Sequence, residues 1–254
     1  MTSSVDQGSV DLIKKSLRRA LSRNTVQAAV LDLDGTLYSS KVGLEFQIKP
    51  RMVGQAQIEL GLSERDARDL LRRYREAYGA SVVGLKKHHE IDPEQFLTSV
   101  FSGLDVDGLT PYDGLIEELP RLADQIPLYL LTNSSASHVA ALLRLLGLEP
   151  CFRKAFSVSA AGYIRKPDPR AYETLLENTG IPPDRVLVFD DSWPNLHAAH
   201  KLKMWTVLVS NGVADPPQFW EMHRREFHTA PDWVDGYTHD FGRTLGRINQ
   251  ALTG

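Results

Sequence analysis

The chain has 254 residues, 42% of them hydrophobic and 24% charged, which allows one large domain or a core with a smaller insert. Its 29 basic and 32 acidic side chains leave a formal charge of −3, so no strong field favours a nucleic acid polymer. Cys151 has no second cysteine to pair with, no apolar run approaches the roughly 20 residues that span a bilayer, and the polar start at Met1 lacks the apolar stretch of a secretion signal. A soluble cytoplasmic protein with no membrane partner is expected.

From the N-terminus, residues 11–22 place Leu12, Ile13, Leu17 and Leu21 on one side of a short helix and Lys14, Lys15, Arg18 and Arg19 on the other. This predicts a helical extension over residues 1–25, docked by its apolar side. The apolar run 28–31 reads as a strand buried on both faces and stops abruptly at Asp32-Leu33-Asp34-Gly35-Thr36. Gly35 permits a sharp turn, and Thr36 is expected to fix it with a hydrogen bond.

Residues 39–111 carry no segment resembling a buried strand. Helical spacing covers 50–60 and 63–78, the latter opened by Ser63, and Asp92-Pro93-Glu94 opens another helix to about Val100. A simple crossover needs far fewer residues, so this stretch is expected to form a helical cap.

The strand pattern resumes at 126–131, ending in Thr132-Asn133-Ser134, at 186–189, ending in Asp190-Asp191-Ser192, and at 205–209. Helices at 138–146 and 169–178 separate these runs, stopped by Gly147 and Gly180. The tail suggests an edge strand at Pro231-Asp232-Trp233-Val234 and a last helix to about Ala251. Alternating strands and helices imply an α/β fold, a Rossmann-like parallel sheet built from residues 26–38 and 112–254, with the helical insert 39–111 set over it. Ligands of such sheets bind beyond the carboxyl ends of the strands, so the polar clusters at those ends are expected to meet.

Those clusters carry the chemistry. Asp32 and Asp34, two residues apart at a strand exit, face one crevice and repel unless a cation or proton intervenes. Asp190 and Asp191 at the same edge deepen that negative charge. Oxygen ligands without histidine or cysteine point to Mg²⁺ rather than zinc. Thr132, backbone amides and Lys166, in the loop Arg165-Lys166-Pro167-Asp168-Pro169, supply donors suited to phosphoryl oxygens. His197 and His200 read as surface or packing residues.

Val30-Leu-Asp-Leu-Asp-Gly-Thr-Leu-Tyr38, Leu131-Thr-Asn-Ser134, Lys166-Pro-Asp168 and Phe189-Asp-Asp-Ser192 resemble the four motifs of the haloacid dehalogenase-like (HAD) hydrolase superfamily, with the insert where that family places its C1 cap. The resemblance implies that Asp32 is a nucleophile forming an aspartyl-phosphate and Asp34 a general acid and base. It implies phosphate binding by Thr132, Asn133 and Lys166, and a Mg²⁺ site formed by Asp32, Asp34, Asp190 and Asp191 with Asn195 in support. An acid at position 34 favours phosphoryl transfer over dehalogenation, because a halide leaves without a proton.

Within the cap, Tyr74-Arg-Glu-Ala-Tyr78-Gly79, Val83-Gly84-Leu85 and His89-Glu-Ile-Asp-Pro-Glu94 are similar to pyrimidine 5'-nucleotidase-like members, although Val83 stands where a basic residue is common. This implies a small-molecule phosphomonoester substrate, a nucleoside 5'-monophosphate, contacted by Tyr74, Tyr78 and His89. A sugar-phosphate or other small-metabolite phosphatase is the alternative. A catalytically idle Mg²⁺-binding protein is the alternative of another class.

Overall fold

The computed structural model describes residues 12–39, 43–160, 162–210 and 233–253. Seven strands form one sheet: β1 (Leu12–Ile13), β2 (Ala28–Leu31), β3 (Leu128–Leu131), β4 (Lys154–Phe156), β5 (Val186–Asp190), β6 (Trp205–Val209) and β7 (Gly236–Thr238). Their order is β1-β7-β6-β5-β2-β3-β4, and every pairing is parallel except that of β1 with β7.

The continuous apolar runs follow from burial on two faces. Ala29 and Leu31 of β2 pack with one layer, formed by α1 (Lys15–Ser22), α6 (Leu115–Ala123), α7 (Ala136–Leu145) and α10 (Phe241–Thr253). Ala28 and Val30 pack with the other, formed by α8 (Pro169–Thr179) and α9 (Trp193–Lys201). Side chains alternate across a strand, so a strand between two helical layers must be apolar at every position.

β2 sits between β3 and β5, so the chain turns one way from it and later the other. Leu31 pairs with Leu130 on one side and Phe189 on the other. That register carries Asp32, Asp190 and Thr132 to neighbouring places at one edge, the switch point where open α/β sheets bind ligands.

After Tyr38 the chain leaves the sheet and returns at Pro111, where the two residues form a single antiparallel bridge. Between them lie α2 (Leu44–Leu60), α3 (Glu64–Tyr78), α4 (Ser81–His89) and α5 (Pro93–Phe101), gathered on a separate apolar cluster that includes Ala67, Leu85, Phe96 and Val100. Ser63 and Asp92 cap their helices, each accepting from a backbone N–H three residues on. α2 starts at Leu44 rather than at Pro50 and carries the proline inside it. The carbonyl that Pro50 cannot serve belongs to Phe46, a residue 82% exposed.

Two other expectations are corrected. The tail strand lies at Gly236–Thr238, with Trp233 and Val234 before it, and β1 covers its outer side, so it is not an edge. Pro231 and Asp232 fall outside the described residues. Residues 12–13, expected to open a helix, instead supply that covering strand, and α1 begins only at Lys15. No helix among the described residues is long and apolar enough to cross a membrane.

Candidate active site

Lys166 Nζ lies 2.8 Å from Asp32 Oδ1 and 2.7 Å from Asp190 Oδ2, with all three side chains buried. The lysine reaches this point because its loop is clasped by Asn133. The Asn133 side chain accepts from Lys166 N at 2.8 Å and donates to Lys166 O at 3.1 Å. The side chain of Asn133, a residue expected to bind phosphate, thus positions Lys166. Thr132 is buried beside it, and its hydroxyl oxygen accepts from Ser134 N at 3.1 Å, which leaves the hydroxyl proton to donate.

Asp190 is fully engaged. Besides Lys166 it accepts from Ser192 N at 2.8 Å and from Asn195 Nδ2 at 3.0 and 3.1 Å. Asn195 thus braces Asp190, as a supporting residue would. Asp191 is placed differently: one carboxylate oxygen from each of Asp32, Asp190 and Asp191 lies within 4.8 Å of the others, with Asp191 at the solvent edge. Gly35, at φ +86°, makes room for it, since a Cβ there would come within 2.2 Å of Asp191 Oδ2.

Asp34 does not join that group. Its Oδ2 accepts from Ser134 Oγ at 2.6 Å, its Oδ1 accepts from the Tyr38 hydroxyl, and His138 Nε2 stands 3.6 Å from Oδ1. Ser134 and Tyr38 belong to the motifs read from the sequence but had no role there, and His138 was read only as the start of a helix. Spacing offers one usable signal, for Tyr38 lies four residues beyond Asp34 across a sharp turn. Thr36 does not fix that turn as expected. Its hydroxyl is buried without a hydrogen-bond partner, and Leu33 O closes the turn by accepting from Thr36 N at 3.3 Å and Leu37 N at 3.0 Å.

The electrostatics follow from this crowding. Burial pushes Asp32 up to about 7, with Lys166 pulling it down and Asp190 and Asp34 pushing it further up. Crowding of its carboxyl by the surrounding protein, even at the solvent edge, and the charges of Asp190 and Asp32 hold Asp191 well above the usual carboxylate range. Burial opposes the charge of Lys166, yet Asp190 and Asp32 carry it above its ordinary value. Asp34 goes the other way: burial would raise it, but His138, Ser134 and Tyr38 together hold it below the usual range.

The donor set fits a divalent cation. Three clustered carboxylates share one lysine, and without a further cation two of them hold protons more tightly than ordinary aspartates. All the atoms offered are hard oxygens, the preference of Mg²⁺. Asp32 and Asp191 are the two carboxylates with capacity to spare, whereas Asp190 is committed to Lys166, Ser192 and Asn195.

Cap and core border an open cavity of about 540 Å³ that Lys166 lines, though Asp32, Asp34 and Thr132 do not. Tyr78, Gly79 and Val83 line it from the cap, and Tyr163, Ile164, Arg165 and Arg170 from the core. Of the three cap residues expected to touch substrate, Tyr78 alone lines this space. Tyr74 is packed on Gly84, where a Cβ would meet its ring at 2.2 Å, and its hydroxyl bonds His89 Nε2 at 2.8 Å. On the other side the cap meets α7 directly. Glu94 Oε1 accepts from Ser137 N at 3.4 Å, Thr98 and Ser137 share a hydroxyl contact at 3.0 Å, and the Phe101 ring stacks on His138 at 4.2 Å.

Comparison with known proteins agrees with this architecture. Phosphate metabolism protein 8 of Saccharomyces cerevisiae is 27% identical over 193 residues, a stretch covering 70% of this chain and 59% of the yeast protein. The chain thus spans less than two thirds of that relative's length. Phosphoglycolate phosphatase of Agrobacterium fabrum is 28% identical over 205 residues, covering 77% of this chain and 85% of that one. Among solved structures, a HAD phosphatase from Thermococcus onnurineus superposes with a TM-score of 0.55 at 19% identity, covering 90% of this chain and 99% of that one, a likeness of fold. The sequence profile of the haloacid dehalogenase-like hydrolases matches residues 26–202, so the chain belongs to that family.

Proposed function

We propose that the protein is a Mg²⁺-dependent phosphomonoester hydrolase that works through an aspartyl-phosphate on Asp32. The observation carrying this reading is the convergence of Asp32, Asp190 and Asp191 around Lys166 at the switch point of the sheet. Asp32 and Asp191 are the residues assigned to Mg²⁺, with Asp190 and Asn195 behind them, and Asp34, held by Ser134 and Tyr38, is left out of the site. The bound ion supplies positive charge that offsets the repulsion between a carboxylate and a phosphate dianion.

The chain's own groups do the rest. Asp32 Oδ attacks phosphorus, a P–O bond to Asp32 forms, and the P–O bond to the alcohol breaks. Asp34 gives its proton to the departing alkoxide, then takes one from the water that attacks the phosphoenzyme, which releases phosphate and restores Asp32. Lys166 and Thr132 hold the equatorial oxygens as donors already in place, so no reorganisation is needed at the moment of reaction. The three donors around Asp34 favour its carboxylate, the form that accepts the water's proton. The phosphate dianion of an arriving substrate raises its proton affinity by like-charge repulsion, and this supports the acid half of the cycle.

For the leaving group, a sugar phosphate or another small metabolite phosphate is the better supported reading. A relative carries the name phosphoglycolate phosphatase, and Arg165 at the cavity wall suits a polar or anionic leaving group, whereas Arg170 beside it is paired with Asp168. The nucleoside monophosphate reading retains Tyr78 as a cavity-lining aromatic residue, though its ring already packs with Lys87, Tyr74 and His88.

A panel of phosphomonoesters with Mg²⁺ tests both levels. Release of phosphate, highest in kcat/KM for a sugar or hydroxy-acid phosphate, is the expected outcome. A nucleotide at the head of the ranking moves the assignment to nucleotidase, and no hydrolysis of any ester by folded protein leaves the idle Mg²⁺-binding reading.

A further inference from the structure

We propose that His138 is a positioning residue for Asp34, holding the carboxyl through Nε2 while Phe101 of the cap holds the imidazole. This deepens the function proposed above and rests on Asp34 being its acid and base.

The His138 side chain is 3% exposed and lies in the first turn of α7, where its backbone N–H donates to Ser135 Oγ at 3.3 Å. Nε2 is shielded from water and has no hydrogen-bond partner within bonding length. Across from it stands Asp34 Oδ1 at 3.6 Å. Packing alone does not account for an imidazole in this place, because a phenyl or aliphatic side chain would fill it without a dry, unpaired nitrogen. A directional N–H aimed at a carboxylate does account for it, with the proton on Nε2.

The ring has little freedom. Phe101 covers it at a centroid distance of 4.2 Å and an interplanar angle of 22°. Phe101 belongs to α5, and the same helix grips α7 through Glu94 and Thr98 at Ser137. The docked cap therefore fixes the imidazole plane, and the imidazole stands behind one oxygen of Asp34. Ser134 holds the other oxygen, and Tyr38 shares the first. The 3.6 Å separation lies just beyond hydrogen-bond length. The orientation of the acid is in this way tied to the seating of the cap.

Leaving-group dependence separates positioning from packing. An alkoxide needs a proton as it departs, whereas p-nitrophenolate does not. In the full-length protein with Mg²⁺, His138→Phe keeps the stack and removes Nε2. It is expected to lower kcat/KM for the alkyl phosphate ranked first in the panel by about tenfold, and that for p-nitrophenyl phosphate by less than about twofold. His138→Gln, which retains an N–H donor, is expected to recover most of the loss. His138→Met carries the same expectation as the phenylalanine variant should the latter not fold.

Equal losses on both esters, or none on either, would overturn the assignment. Asp34→Asn in the same assay keeps the two levels apart. If it too shows no bias against the alkyl ester, the reaction scheme itself fails. If it shows the bias and His138→Phe does not, only the role of His138 falls.

Discussion

Asp191 Oδ2 occupies the space that a side chain on residue 35 would need, 2.2 Å from the position of a Cβ built on Gly35. The turn after β2 and the acid after β5 are therefore shaped to each other, although far apart in sequence. Gly35→Ala is expected to push Asp191 outward and to add roughly 1–2 kcal/mol of backbone strain at φ +86°. Mg²⁺ affinity measured by calorimetric titration should fall by about tenfold or more, with the fold retained by circular dichroism. An unchanged affinity would show that Asp191 does not hold the ion.

Asp32→Asn is expected to abolish turnover while leaving the protein folded. Without the carboxylate no phosphoenzyme can form, and the loss should reach about 10³-fold or more in kcat. The check is phosphate release alongside thermal melting. A near-normal rate would remove Asp32 as nucleophile.

Protons and cations compete for the same oxygens. Asp32 holds its proton up to about 7 in the folded chain, against an ordinary value of 3.8. A metal-free fold gains from that proton at low pH, and the gain is lost as pH rises through about 7. A divalent ion favours the deprotonated form, so its stabilisation grows across the same window. At a hundredfold excess over Kd, Mg²⁺ should raise Tm by roughly 5–10 °C at pH 8 and by clearly less at pH 6. Equal shifts at the two pH values would place the ion elsewhere.

Lys166→Met leaves Asp32 and Asp190 buried without their shared cation. Stability at pH 8 should drop by about 3–5 kcal/mol. The drop should be smaller at pH 6, where Asp32 can take up a proton instead of remaining charged. Urea denaturation at both pH values measures this. A pH-independent loss would mean that the lysine acts only by filling space.

Val83 lines the cavity from the cap without offering it a charge. Val83→Lys should shift selectivity toward esters whose leaving group is itself anionic, by about tenfold in relative kcat/KM, through KM rather than kcat. Competition assays between an anionic and a neutral ester report that ratio directly.

Much of the architecture could be read in advance because a parallel strand covered on both sides leaves an unmistakable apolar run. Ala28–Leu31, Leu128–Leu131, Val186–Asp190 and Trp205–Val209 each end at a polar cluster, and register brings those ends together. The short strands escaped notice for the same reason in reverse. β1 has two residues, and β4 begins with an exposed Lys154, so neither produces a pattern long enough to recognise. α6 was missed with Pro120 in its interior, and Pro50 displaced the expected start of α2. At the site, the acids and Lys166 stood out by type and position. The surroundings of Asp34 did not, because His138 reaches it only through the packing of α7 against the cap, a relationship between distant segments that no local spacing encodes.

β1 carries a consequence for how the chain assembles. Leu12 pairs with Tyr237 and Ile13 with Gly236, so this early segment waits for a late one before its backbone groups are matched. During synthesis on the ribosome this outer seam closes only after the rest of the sheet has emerged, a contact between residues more than 220 positions apart. Trimming the chain to residue 14 would bare the flank of β7, an invitation to strand-to-strand association between molecules.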